Sequence, residues 1–367
     1  MGKLKSIFRK LRDPRAENAS HDLLEILILA LAATLCGAEN ASDMAQFARL
    51  KRGVLGQFLR LENGTPSHDT FSRVFRMLEP EAFEGLFRKF TAAFAKAHRI
   101  DLGGVIAVDG KSLRGAYERG RSATPLHLVN AFATKVRMVI ASRKAPERDE
   151  MTAALEMLKL LRLKRRIVTA DALFCSRDFA ATVLSREGQY VLALKKNQSK
   201  LYAAVERRFA GRGLRDTAST LEPSTHDRRE WRRATIMRAG DLAASHGFKG
   251  IAAIARITSR RRGKGAPAEK ASIRYYVLSL YMPAKKVLEV VRSRWAIENQ
   301  LHWLLDVLFK EDANRARKDA APENFAILRK FAINILRVHP EKISMRGKMK
   351  SAGWDDSFLL SLLAQMR

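Results

Sequence analysis

Two acids that follow short β-branched runs, and a third on an amphipathic helix, are the residues of this chain with the clearest chemical potential. Val105-Ile106-Ala107-Val108 leads into Asp109-Gly110-Lys111-Ser112, and Arg166-Ile167-Val168-Thr169-Ala170 leads into Asp171. Branched side chains suit a packed, pleated surface, so both runs predict buried strands with an acid where the chain leaves the core. An Asp in that place is also a common turn cap, and either residue taken alone admits that reading. Between Arg294 and Asp306, Ile297, Leu301, Leu304 and Leu305 make a buried helical face, continued by Leu308. Glu298 falls on its flank, with Arg294 and His302 four residues to either side.

A carboxylate beside a core stripe is costly unless something pairs with it. Arg294 is one sufficient partner for Glu298; convergence with Asp109 and Asp171 is the other reading. Three carboxylates brought together repel one another and call for cations, and hard divalent ions such as Mg²⁺ favour oxygen ligands of this kind. Two such ions about 3.5–4 Å apart clamp the attacking and leaving oxygens of an in-line phosphoryl displacement. Spacing along the chain does not by itself bring these acids together.

The surrounding texture shows what must position them. Residues 1–20 are basic and polar and read as a loose arm. An all-round apolar helix follows from His21 towards Gly37, then a helix capped by Ser42 and a turn at Asn63-Gly64-Thr65-Pro66. Ser67 precedes a short helix carrying Phe71, Val74, Phe75 and Leu78, compatible with either a helix-turn-helix recognition helix or an ordinary packing helix. A stripe of Phe83, Phe87, Phe90 and Phe94 completes a helical segment over 1–100. From 101 strands alternate with helices, which predicts an α/β domain over 101–200 that resumes over 271–340. Between them, 201–270 is Arg-rich with alternating strand-like pieces, a β-rich insertion; 341–367 is a tail ending in a short apolar helix.

The chain of 367 residues carries 68 Lys and Arg against 38 Asp and Glu, a formal net charge of +30. Such an excess repels itself unless an anionic partner neutralises it, which points to nucleic acid. The basic residues are spread along the chain and do not line one amphipathic helix, which disfavours a membrane surface. The apolar run Ile26 to Ala38 is too short to span a bilayer. The two cysteines, Cys36 and Cys175, form no CxxC pair and fit a reducing, cytoplasmic setting.

Several motifs together carry a family resemblance: Gly64-Thr65-Pro66-Ser67-His68-Asp69-Thr70-Phe71, Val108-Asp109-Gly110-Lys111-Ser112-Leu113-Arg114-Gly115, Asp171-Ala172-Leu173, Tyr190 to Gln198, and Trp295 to Asp306 with Glu311-Asp312. The chain resembles bacterial insertion-sequence transposases of the ISAs1 family, also known from H-repeat-associated proteins, within the IS4-like DDE group. The resemblance implies an RNase H-like catalytic domain interrupted by the insertion, and it places the catalytic, metal-binding roles on Asp109, Asp171 and Glu298. The broader group's Arg matches Arg294, while Val291 and Leu305 stand where that group has Tyr and Lys. Mg²⁺ is the implied cofactor, with Mn²⁺ an accepted substitute. Implied partners are double-stranded DNA, as terminal inverted repeats and target, and a second copy of the chain in a nucleoid-associated dimer. Lys111, Arg114, Lys195, Lys196 and Asn197 flank the strand ends; with Arg228, Arg229, Arg294 and His302 they are the expected DNA contacts. For Trp231, Trp295 and Trp303, core packing is expected ahead of base stacking. A catalytically inactive DNA-binding remnant and a related nuclease are the competing readings.

Overall fold

The computed structural model describes residues 2–116, 125–211, 213, 215–225, 228–263 and 269–366. The helical patterning of the first hundred residues yields α1 (Gly2–Phe8), α2 (Leu23–Leu35), α3 (Ala41–Leu50), α4 (Arg52–Leu55), α5 (His68–Met77) and α6 (Pro80–Ala97). Apart from Leu24 and Glu25, all of α2 is buried, so it forms the middle of the helical half. Asp22 caps α2 by accepting from the Leu24 N–H, and Ser67 caps α5 through the Thr70 N–H, each cap stabilising by about 1 kcal/mol.

The expected loose arm is corrected by α1. Leu4 and Phe8 are buried, and the Phe8 ring meets Phe331 edge-on with centroids 5.6 Å apart. Two apolar anchors one turn apart make too short a pattern to stand out from a basic stretch, and a helix this short is stable only through such tertiary packing.

Strands and helices then follow as β1 (Gly104–Leu113), β2 (Leu126–Ala133), β3 (Met138–Lys144), α7 (Glu150–Lys159), β4 (Arg166–Ala170), α8 (Arg177–Ser185), β5 (Gln189–Leu194) and α9 (Ser199–Ala210). The Arg-rich stretch contributes β6 (Asp216–Thr225), β7 (Arg228–Arg238), α10 (Asp241–His246) and β8 (Ala253–Gly263), and β9 (Ser272–Leu278) returns the chain. Among the described residues these strands form one mixed sheet, ordered β3-β2-β1-β4-β5-β9-β8-β7-β6. β1, β4 and β5 are parallel neighbours in the centre, and β9 pairs antiparallel with β5 through Leu192↔Val277. The Arg-rich strands therefore continue the same sheet from β9 outwards.

Alternation along the strands divides the apolar side chains between two faces. Ile106, Val108, Val168, Ala170 and Leu192 join a core with α7, α8 and α9. Ala107 and Phe132 join the helical core of α2, α5 and α6. The last third of the chain covers that second face with α11 (Ala284–Ile297), a π turn at Glu298–His302, α12 (Trp303–Val307), α13 (Ala321–Val338), α14 (Met345–Trp354) and α15 (Asp356–Ala364). α13 ties the halves together. Phe331 stands 5.0 Å from the Phe87 and Phe90 rings and 5.7 Å from Phe83. Burying one such ring stabilises by roughly 1.5–3 kcal/mol. The buried amide of Asn334 accepts from the Val139 N–H at 3.0 Å and donates to its carbonyl at 2.8 Å, fixing α13 to β3. Among the described residues no helix is long and apolar enough to cross a membrane.

Candidate active site

The register of the central strands brings the two acids together, with Asp171 just past the end of β4 and Asp109 inside β1, which corrects the expectation of a strand end at Asp109. Val108 opposite Ala170 is the last parallel pair of β1 and β4. Asp109 and Asp171 are thus successive residues on neighbouring strands, whose spacing is about 4.8 Å. β4 stops there while β1 runs on to Leu113, leaving its β4 side open beyond Val108. Because Val108 faces the α7–α8 core, Asp109 turns to the other face, where α11 packs across β1 and β4. Glu298 opens the π turn at the end of α11, and Arg294 Nη1 lies 3.2 Å from its Oε1. His302, at the far end of that turn, has Nδ1 3.9 Å from Asp109 Oδ2, too long for a hydrogen bond.

The electrostatics record the convergence. Burial pushes the Asp109 carboxyl up to about 7; Arg294 opposes this, while the negative charges of Glu298, Asp171 and Glu150 add to it. All three other acids are therefore close enough to be felt at Asp109, and one guanidinium does not balance them. The His302 ring adds no charge. Burial, reinforced by Lys111 and Lys330, pushes it down to about 3, so it is neutral at pH 7. Asp171 Oδ1 also caps the following turn by accepting from the Leu173 N–H at 2.9 Å.

Among the described residues no three His, Cys, Asp or Glu side chains form a ready-made metal cluster. The donor set nonetheless suits a hard divalent cation. It consists of carboxylate oxygens, and the Asp109 carboxyl is held up by burial and by the negative charges of Glu298, Asp171 and Glu150, a strain a metal relieves.

The other expected site residues divide sharply. Lys111 is corrected: its side chain is 7% exposed, and its ammonium sits 2.6 Å from Asp306, 3.3 Å from Asp312 and 3.8 Å from Glu311. Burial works against that charge, and Glu311, Asp306 and Asp312 outweigh it, holding its pKa above the usual value. Lys111 is an internal ion-pair centre and not an open phosphate contact. Arg114 is exposed, with Asp312 3.6 Å away. Lys195 and Lys196 are exposed where β5 ends, and Asn197 Nδ2 donates to the Ala172 carbonyl at 2.7 Å, tying that loop to the turn after Asp171. These residues line a groove of about 720 Å³ with Asp171, Tyr202 and Arg274. The side chains of Arg228 and Arg229 lie outside the described residues. Trp303 is 53% exposed and so departs from the expected core packing. It stands on the outer side of α12, whose inner side is filled by Leu304 and Leu305. Trp231 lies between Arg233 and Arg260, and Trp295 between Arg274 and Arg294.

Two groups escaped sequence reasoning. One is Ser112, His127 and Glu150, linked by hydrogen bonds from β1 through β2 to α7. The other surrounds Lys111: Glu311 and Arg329 are almost wholly buried 3.9 Å apart, and the fully buried Lys330 amine has no hydrogen-bond partner among the described residues. The strand pairing Ser112↔His127 and the return of the 306–312 segment to β1 create these groups, and neither is encoded in local spacing.

Acids on neighbouring parallel strands with a third acid on a helix are oxygen donors of the kind that metal-dependent phosphoryl transfer uses. Residues 101–335 match the Transposase DDE domain family, and residues 5–91 match the DDE_Tnp_1-associated family. The H repeat-associated putative transposase YhhI of Escherichia coli (strain K12) is 33% identical over 94% of this chain and 93% of its own length. A protein encoded in the dhlA 3' region of Xanthobacter autotrophicus is 37% identical over 71% of this chain and 90% of its own length. A piggyBac transposase, solved by cryo-EM in a synaptic complex with hairpin DNA, is 13% identical with a TM-score of 0.43. That likeness covers 98% of this chain and 79% of the piggyBac chain, and is too distant to carry an argument. The chain belongs to the transposase DDE family and is an insertion-sequence transposase, an enzyme whose family implies a divalent metal ion and DNA as partner.

Proposed function

We propose that this transposase is of the ISAs1 type, with an RNase H-like catalytic core in which Asp109, Asp171 and Glu298 hold Mg²⁺, or Mn²⁺ in its place. When bound, the metal supplies Lewis-acid stabilisation of the phosphoryl group and lowers the pKa of a water. The protein's own contribution is placement: one carboxylate inside the strand β1, one at the end of β4, a third on a helix end, and Arg294 orienting Glu298 from 3.2 Å. In the first step water oxygen bonds to phosphorus at the element end, and the bond to the 3′ oxygen breaks to release a 3′-hydroxyl. In the second, that hydroxyl forms a new bond to a target phosphate and the target's own 3′ oxygen leaves. Neither step needs a covalent intermediate on the protein.

Double-stranded DNA, as the element's terminal inverted repeats and the target, is the substrate, and the charge of +30 supports this reading. Arg114, Lys195, Lys196, Asn197, Arg228 and Arg229 are the proposed phosphate contacts, with Arg294 and His302 beside the reacting strand. Residues 1–100 bind DNA; 101–200 and 271–340 form the catalytic domain, with 201–270 inserted and 341–367 as tail. The active form is a dimer on DNA in the bacterial cytoplasm, at the nucleoid.

One observation carries the reading: Asp109 and Asp171 succeed the same parallel strand pair, and Glu298 is felt at Asp109. The test is cleavage of DNA bearing the flanking inverted repeats by purified protein with Mg²⁺. Cleavage followed by strand transfer, both lost in Asp109→Ala, is the expected result. Cleavage without transfer would make the protein a nuclease, and cleavage surviving in Asp109→Ala would sink the site.

A further inference from the structure

Gly110, directly after Asp109, faces the opposite side of β1, and a fourth acid occupies the space its missing side chain leaves. A Cβ built on Gly110 would fall inside van der Waals distance of all three atoms of the Glu150 carboxyl group. Of these, Oε2 lies nearest. The other oxygen, Oε1, accepts a hydrogen bond from His127 Nε2, which puts the ring proton there and leaves Nδ1 to accept from the Ser112 hydroxyl at 2.7 Å. The His127 and Glu150 side chains are only 13% and 16% exposed, so this relay is held and not a surface encounter. Ser112 and His127 are direct cross-strand partners, which fixes the ring on the face of the sheet that α7 covers. β1 has no β4 partner beyond Val108, so beside Gly110 only the β1 backbone lies between the Glu150 carboxylate and the space next to Asp109 and Asp171.

We propose that Glu150 is a fourth carboxylate of the metal site, with His127 as its positioning residue and Gly110 as the vacancy that admits it. The proposal rests on the three-carboxylate reading above. Its physical sense is that an acid packed against the residue next to Asp109 adds to the negative charge there, an arrangement worth holding in place only where a cation is to be bound. Metal-binding carboxylates are in turn held by hydrogen bonds, and loss of such an outer partner weakens metal binding or activity by about 10–100-fold.

The test is Mn²⁺ binding to the full chain, measured by titration calorimetry without DNA, with thermal unfolding as the folding control. Glu150→Gln should weaken Mn²⁺ binding by about ten-fold or more. Gly110→Ala keeps the charge but pushes the carboxylate aside, and should do the same. In the double variant the losses should not add, because both act on one group. His127→Ala should lose affinity by about ten-fold, and His127→Gln, which keeps a donor near the Nε2 position, should recover most of it. Unchanged affinity in both Glu150→Gln and Gly110→Ala, with binding lost in Asp109→Asn, would overturn the role of Glu150 and leave the three-acid site standing. Unchanged affinity in Asp109→Asn would instead overturn the site on which the proposal rests.

Discussion

Two groups of acids lie along the same strand, and they are built on opposite principles. Asp306, Glu311 and Asp312 surround Lys111, with Arg329 behind Glu311, so that buried negative charge meets buried positive charge. Two residues back along β1, the charges of Glu298, Asp171 and Glu150 act on Asp109, with Arg294 as the nearby guanidinium. The first group is closed and structural; the second is short of cations. Carboxylate content does not distinguish them, since both are rich in acids. Charge balance does, and an unbalanced cluster is where a cation and its chemistry belong.

The comparison can be broken most severely at Asp109. Asp109→Asn should abolish strand cleavage by on the order of a thousand-fold or more, yet leave the fold intact or slightly more stable, since it removes repulsion. Cleavage assays paired with thermal melts check both halves.

Lys111→Met should do the reverse. It leaves three acids around an apolar side chain and should destabilise by about 3 kcal/mol, at the lower end for breaking a buried pair because Asp306 and Asp312 are partly exposed. Denaturant unfolding measures it, and a loss of DNA binding with unchanged stability would restore Lys111 as a phosphate contact.

pH separates the two groups as well. Asp109 has a folded-state pKa of about 7 against an unfolded 3.8. The folded chain therefore binds more protons between those values, and metal-free stability should fall as pH rises through that window. The fully buried Lys330 has its pKa pushed by burial from 10.5 to about 8. There the unfolded chain binds more protons, so stability should rise between pH 8 and 10.5, by roughly 3 kcal/mol across the window. Melts of Asp109→Asn and Lys330→Met should each lose one of these slopes and keep the other.

A smaller effect sharpens the same contrast. At pH 7.5 Mg²⁺ should raise the melting temperature of the wild type by mass action and leave Asp109→Asn unmoved, if the cation belongs only to the unbalanced group. The smallest belongs to the exposed Arg114. Its replacement by Ala should weaken DNA binding evenly across sequences and reduce the salt slope by about one.

How much of this was legible in the sequence follows from what each feature depends on. Asp109 and Asp171 were readable because a β-branched run followed by an acid is a local pattern. The helical core was readable in the aromatic stripe from Phe83 to Phe94 and in the apolar girth of α2. Lys111 was misread because a lysine after Asp-Gly looks open, and only the return of residues 306–312 to β1 closes it in. Glu150 was missed because its place depends on strand register and on an absent side chain, and neither leaves a mark on neighbouring residues. Trp303 went wrong because its aromatic character outweighed its place, opposite the Leu301, Leu304 and Leu305 stripe, where a helix faces outwards.

That turn has a consequence for how the site tolerates change in length. Between Glu298 and His302 the helix accommodates one residue more than an α-helical turn holds, with the Trp303 N–H reaching back five residues to the Glu298 carbonyl. Deleting Asn299 would restore ordinary α-helical bonding, with four residues making the turn that five make now. The Ile297 side and the Leu301, Leu304 and Leu305 side would keep their common core-facing stripe. A one-residue deletion there would thus be absorbed inside the turn, whereas the same deletion elsewhere in α11 or α12 would swing one flank by about 100° and take Glu298 or the core leucines out of place.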